Sequence, residues 1–128
     1  MPPGRLNDGE IMIIRIKNLH LRTVVGINEW ERREPQDIQI QIEMELDGQN
    51  VAASDAIQDT VDYKAVTKRV IQAVEKSTFC LVDTLAHHVL DLVMKEDKVI
   101  RARVEVDKPH ALRFTDSVSV ACTAERSA

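Results

Sequence analysis

Apolar and polar residues alternate most cleanly over residues 37–46, where Ile38, Ile40, Ile42, Met44 and Leu46 fall on one side of an extended chain and Gln39, Gln41, Glu43 and Glu45 on the other. A period of two with one oily side predicts a strand that packs one face on a core and leaves the other wet. Residues 11–25 repeat the pattern, with Ile14 and Ile16 against Arg15 and Lys17, then Leu19 and Leu21 against His20 and Arg22. The phase slips at Asn18, which predicts a bulge there. Two further strands are predicted at 99–107 (Ile100, Ala102, Val104 and Val106 on one face) and at 117–125 (Val118, Val120, Cys122 and Ala124). Pro109 cannot donate to a sheet ladder, so the first of these is expected to stop at Lys108.

Between the two pairs of strands the period becomes helical. Residues 47–59, with Gly48, Asn50, Ser54 and Asp55, read as a connection with a short helical turn. A helix is predicted from Asp62, whose carboxylate suits the free amides of a first turn, with Val66, Val70, Ala73 and Val74 as its apolar stripe. A second helix follows residues 75–78, carries Leu81, Leu85, Val89, Leu92 and Val93 inward, and ends at Asp97 and Lys98. The order ββααββ predicts an α+β fold: a four-stranded antiparallel sheet with two helices on its apolar face. Residues 11–128 read as one domain, and 1–10, with Pro2, Pro3 and Gly4, as a flexible lead-in. A four-stranded sheet leaves two edges and one face uncovered, so assembly into a larger closed structure is expected.

Composition narrows the functional classes. A chain of 128 residues buries roughly two thirds of its unfolded surface and needs no metal or disulfide staple. Cys80 and Cys122 match no zinc or redox spacing and read as small buried apolar residues in a reducing compartment, which points to the cytoplasm. The net charge of −4 argues against nonspecific nucleic-acid binding. No apolar run has membrane-spanning length, and no secretory leader is read at the N-terminus. His20, His87 and His88 lack a ligand set at metal spacing, so no metal is expected.

Chemistry-bearing side chains fall at the ends of these elements. Lys108 stands at a strand end, and His110 and Arg113 follow in the loop before the next strand. Glu31 lies in the loop after the first strand, Tyr63 opens the first helix, and Asp83 lies in the first turn of the second. Singly, each has an ordinary reading: Glu31 belongs to a solvated charge run, Tyr63 plugs the sheet, Asp83 favours the positive end of a helix dipole, and Lys108 sits in a charged hairpin. As a set they suggest a carboxylate that grips an amidine-like heterocycle edge, with a lysine, a tyrosine and a second carboxylate to move protons. A lysine working reversibly near neutrality calls for burial or a nearby cation.

Five segments carry a more specific signal: Ile14-Arg15-Ile16-Lys17-Asn18-Leu19, Gly26-Ile27-Asn28-Glu29-Trp30-Glu31, Asp62-Tyr63-Lys64-Ala65-Val66-Thr67-Lys68, Phe79-Cys80-Leu81-Val82-Asp83, and residues 104–113 around Lys108-Pro109-His110. In this order they resemble the dihydroneopterin aldolase family over residues 11–125. The resemblance implies a tunnelling fold (T-fold), in which four subunits close a ring and two rings stack as a homo-octamer with active sites between subunits. It implies a pterin substrate and no cofactor. By the same resemblance Asp83 and the backbone at Val82 anchor the pterin, with Leu81, Val61 and Ile27 also against substrate. Lys108 is the acid/base, Tyr63 assists proton transfer, and Glu31 positions substrate and water. The implied reaction is a retro-aldol cleavage between C1′ and C2′ without a Schiff base or metal.

The segment 110–119 looks more like the epimerising branch of the family, which implies action at C2′ of 7,8-dihydroneopterin triphosphate, with His110 or Arg113 on the phosphates; Arg113 equally suits a pair with Asp116 or Glu31. Aldol release of glycolaldehyde is the alternative, and a noncatalytic pterin-binding or assembly subunit the second. The family usually carries Glu where this chain has Asp83, one methylene shorter, so either the helix lies closer to the pterin or a water fills the gap.

Overall fold

The computed structural model describes residues 10–127. Strand β1 (Ile11–Val25) runs antiparallel to β2 (Gln36–Asp47); helix α1 (Gln49–Ser54) and a 3-10 turn (Ile57–Asp59) lead to helix α2 (Tyr63–Glu75). After strand β3 (Thr78–Phe79) come helix α3 (Val82–Met94), β4 (Arg101–Pro109) and β5 (Ser117–Glu125). The lead-in expected over 1–10 lies outside the described residues apart from Glu10.

The alternating patterns place the core. Ile38, Ile40, Ile42, Met44 and Leu46 of β2 and Ala102, Val104 and Val106 of β4 are buried, and they meet Val66, Val70 and Val74 of α2 and Leu85, Ala86, Val89, Leu90 and Val93 of α3. Asp62 caps α2, its Oδ1 accepting from the amides of Lys64 (3.1 Å) and Ala65 (3.2 Å). The slip at Asn18 is a bulge: register shifts between Ile16 and Leu19, Asn18 has φ 54°, and the Gln41 amide brackets it with bonds of 2.9 and 2.6 Å. The opposite face of the sheet is ionic, with Arg15–Glu43 at 2.9 Å, Arg101–Glu45 at 3.0 Å and Arg103–Glu105 at 3.1 Å. These pairs are partly exposed and hold the face polar more than they stabilise the fold.

Five expectations are corrected. The sheet has five strands, in the order β3-β1-β2-β4-β5, and β3 pairs parallel with Val24 and Val25, so the described sheet is mixed and not a four-stranded antiparallel one. The connection after β2 contains a third helix, α1. The strand carrying Lys108 does not stop there: Pro109 pairs with Ser117, while the ladder to β2 ends at Asp107, so the proline has a strand on one side only, where a missing donor is tolerated. Leu81 is 50% exposed, because α3 begins one residue later and Leu90 takes the inward place. Of the cysteines, Cys80 is exposed in the β3–α3 turn and Cys122 is half-buried, where burial pushes its thiol up from the ordinary value.

β5 leaves one long edge open, and β1 the other except at Val24 and Val25. Replacing Ile42 by Ala is expected to cost about 2–5 kcal/mol and Asp62→Ala about 1 kcal/mol. Urea unfolding at fixed protein concentration checks both, and equal losses contradict this account of core and cap.

Candidate active site

The loop between β1 and β2 is shaped around one buried acid. Gly26 leaves β1 with φ 143°, and a Cβ there would lie 2.3 Å from the Glu31 carboxyl carbon, so only glycine admits the acid beneath the strand end. Two residues on, the Asn28 backbone N–H (3.2 Å) and side-chain Nδ2 (2.8 Å) both donate to Glu31 Oε1. A helical turn follows, the Arg32 N–H reaching Asn28 O at 3.1 Å, and it brings Glu31 back over Gly26. The second carboxylate oxygen, Oε2, is ion-paired with Lys108 Nζ from the end of β4. Glu31 is 5% exposed, and the Lys108 side chain keeps 12% of its surface.

Burial pushes the Glu31 carboxyl up, but the hydrogen bonds from Lys108 and Asn28 and the charge of Lys108 together outweigh it and hold the acid below the usual carboxylate range. The pair is therefore a carboxylate and an ammonium in contact. The expected neighbour for the lysine was burial or a cation; the structure supplies burial and an anion. Around the pair lies a cavity of about 320 Å³, lined among others by Arg22, Asn28, Trp30, Gln36 and His110. That volume is at the small end for a site that takes an organic ligand.

A clamp joins this loop to the start of α3. The Phe79 carbonyl accepts from the Gly26 amide (3.1 Å) and from Arg32 Nη1 (2.7 Å), and the same Nη1 reaches Gly26 O at 3.3 Å. Ile27 and the turn Leu81-Val82-Asp83 are thereby fixed at one end of the sheet. Asp83 lies exposed in the first turn of α3, and Leu81, the N-cap residue, gives no side-chain cap. The first-turn amides are thus left for solvent or a ligand.

Of the residues singled out in the sequence, Glu31, Lys108 and His110 line one cavity. Asp83, Val82, Leu81 and Ile27 do not line it, and Val61 is buried in the core. Tyr63 is 55% exposed and lines a different hollow with Lys64, Thr67, Lys68 and Ile71 along α2. Arg113 meets neither Asp116 nor Glu31; its guanidinium lies 5.3 Å from the centre of the Phe114 ring, outside the cavity, and Glu31 is taken by Lys108. Asn28, Gly26, Arg22 and Gln36 were not singled out. The spacing Gly-x-Asn-x-x-Glu at a strand end is the signal for the first two; nothing in the sequence marks the others.

A family model described as dihydroneopterin aldolase matches residues 14–123. The chain is 44% identical over 114 residues to the dihydroneopterin triphosphate 2′-epimerase of Escherichia coli strain K12, covering 89% of this chain and 95% of that one. It is 30% identical over 108 residues to the dihydroneopterin aldolase of the same organism, covering 84% and 88%. The crystal structure of E. coli dihydroneopterin aldolase in complex with neopterin superposes with a TM-score of 0.83 at 28% identity, over 88% of this chain and 98% of that one.

A carboxylate whose folded value is depressed contributes stability that is complete above its ordinary value of 4.5 and is lost as pH falls through the folded value. Glu31→Gln is therefore expected to cost about 1–3 kcal/mol near neutrality, with the gap to the parent closing as pH falls below 4.5 through the depressed folded value. Urea unfolding between pH 3 and pH 7 tests it; a gap independent of pH contradicts the pairing.

Proposed function

The chain belongs to the dihydroneopterin aldolase family, and we propose that it epimerises C2′ of 7,8-dihydroneopterin triphosphate. The observation that carries the proposal is the Glu31–Lys108 pair, a buried acid and amine facing one ligand-sized cavity. Lys108 first gives its ammonium proton to the dihydropterin ring, which makes the ring an electron sink, and as the resulting amine it takes the proton of the 2′-hydroxyl while the C1′–C2′ bond breaks, its electrons passing into the ring and leaving an aldehyde at C2′. Re-addition of C1′ to the other face of that aldehyde inverts C2′, and the amine returns the proton. Glu31 keeps the amine oriented and holds the water or hydroxyl beside it.

The pterin ring is anchored by the Asp83 carboxylate and the uncapped amides at Val82, with Leu81 and Ile27 against it; Val61 supports the wall from the core. Tyr63 reaches the reacting side chain from a neighbouring copy. Its exposure on α2, away from the cavity of its own chain, supports that reading. The two open sheet edges suit closure into a four-membered ring, and two such rings form a homo-octamer. No described helix is long and apolar enough to cross a membrane, and the enzyme works in the cytoplasm without a cofactor. The epimerase is favoured over an aldolase by the higher identity, 44% against 30%.

Incubation with 7,8-dihydroneopterin triphosphate, followed by chromatography, is expected to give the dihydromonapterin epimer as the main product. Accumulation of 6-hydroxymethyl-7,8-dihydropterin instead favours the aldolase, and no turnover of the triphosphate or of free 7,8-dihydroneopterin refutes an enzyme. Lys108→Met is expected to lower kcat by about 10²–10⁴-fold with a smaller change in KM; a loss confined to KM contradicts its role as acid/base.

A further inference from the structure

We propose that Arg22 and His110 form a phosphate subsite that tethers the two-carbon aldehyde during the reaction and so decides between epimerisation and release. The inference rests on the activity proposed above and goes beyond it. Cleavage between C1′ and C2′ of the triphosphate leaves the ring on one fragment and the phosphates on the other. The phosphates travel with C2′ and C3′, away from Asp83 and the pterin. Whatever holds them keeps the aldehyde in place while it turns; a fragment that is not held diffuses away, and the enzyme becomes an aldolase.

Arg22 and His110 are the basic residues, besides Lys108, that line the Glu31–Lys108 cavity. Both also line a second cavity of about 440 Å³, over the polar end of β1 and β2, where His20 and Gln39 join them. The two cavities share Arg22, Asp37, Pro109 and His110, so a chain of phosphates leaving Lys108 passes between an arginine and a histidine before reaching His20. His110 is turned into this position by a left-handed backbone, φ 63°, at the point where β4 ends.

The acids nearby bear on the argument. Asp37 and Glu75 line the outer cavity, and Glu31, Glu34 and Asp37 the inner one. Glu31 is neutralised by Lys108. Asp37 pairs with Arg22 Nε at 3.2 Å, and Arg22 Nη2 donates to Pro35 O at 3.0 Å. Both partners of the Asp37 pair are largely exposed, so the pair is weak, and it holds the guanidinium extended toward the shared wall with N–H groups to spare. A phosphate presents the forked acceptor that a guanidinium matches best. Arg113, expected in this role from the sequence, stacks on Phe114 and lines neither cavity.

The test uses the assembled enzyme and its Arg22→Met, His110→Ala and Arg113→Ala forms, with Arg22→Lys as a folded control that keeps the charge. With dihydroneopterin triphosphate, Arg22→Met and His110→Ala are expected to raise the ratio of cleaved pterin to epimer at least fivefold, and Arg22→Lys less. Arg113→Ala is expected to keep the parent ratio. Titration calorimetry with inorganic tripolyphosphate gives a readout that needs no turnover: affinity is expected to fall at least tenfold in Arg22→Met. Equal tripolyphosphate affinities in parent and variants overturn the subsite whatever the turnover. Lost affinity with an unchanged product ratio overturns the tether. A parent enzyme that does not turn over dihydroneopterin triphosphate refutes the activity of the preceding subsection, and the subsite is then judged on the calorimetry alone.

Discussion

The contact between Glu31 and Lys108 is the constraint on which the rest of this end of the molecule depends. It joins residues 77 positions apart, in the loop after β1 and at the last turn of the β4 ladder, and both partners are withdrawn from water. An acid so buried is tolerated only because it is paired and hydrogen-bonded. Every nearby feature serves that condition. Gly26 makes room for the carboxyl, Asn28 satisfies one oxygen twice, and the amine satisfies the other. The same pairing leaves a proton-carrying amine fixed at the floor of a cavity.

The fold explains why that contact lies where it does. The apolar face of β2 and β4 is locked under α2 and α3, so these strands form a rigid floor, and their ends present side chains with little freedom. β4 is flanked by β2 as far as Asp107 and by β5 through Lys108 and Pro109, so Lys108 follows directly on a stretch of strand held from both sides. The two-residue strand β3 does a different job: through the Phe79 carbonyl it ties the acid loop to the start of α3. On the proposed reading, Asp83 holds the ring of the substrate, Arg22 and His110 hold its phosphates, and Lys108 serves the bond between them. On that reading one cleavage serves epimerase and aldolase alike, and the hold on the outgoing fragment sets the outcome.

Much of this was legible in the sequence. Alternation gave the four long strands, Asp62 gave the helix start, and the phase slip at Asn18 gave the bulge. What escaped has identifiable causes. β3 is too short to show a period, and its parallel partners, Val24 and Val25, lie 54 positions earlier in the chain. Pro109 suggested a strand end because its lost donor matters only where a strand lies on both sides, and β2 had already left. Leu81 was counted as core because its spacing to Leu85 is helical, but it precedes the helix. In the site, the residue types at Glu31 and Lys108 were readable while their contact was not, since nothing local records a pairing across so long a separation. Arg113 looked like a phosphate ligand on proximity to Lys108 in the sequence. Arg22, on a distant strand, is the arginine that the sheet brings to the cavity wall.

The account is tested most directly by a crystal structure of the assembled protein with neopterin bound. It predicts the side chain of the pterin in the Glu31–Lys108 cavity, the 2′-hydroxyl within about 3.2 Å of Lys108 Nζ, and the ring edge on Asp83 of the same chain. A pterin seated elsewhere, with the Glu31–Lys108 pair untouched by ligand from any copy, would contradict it.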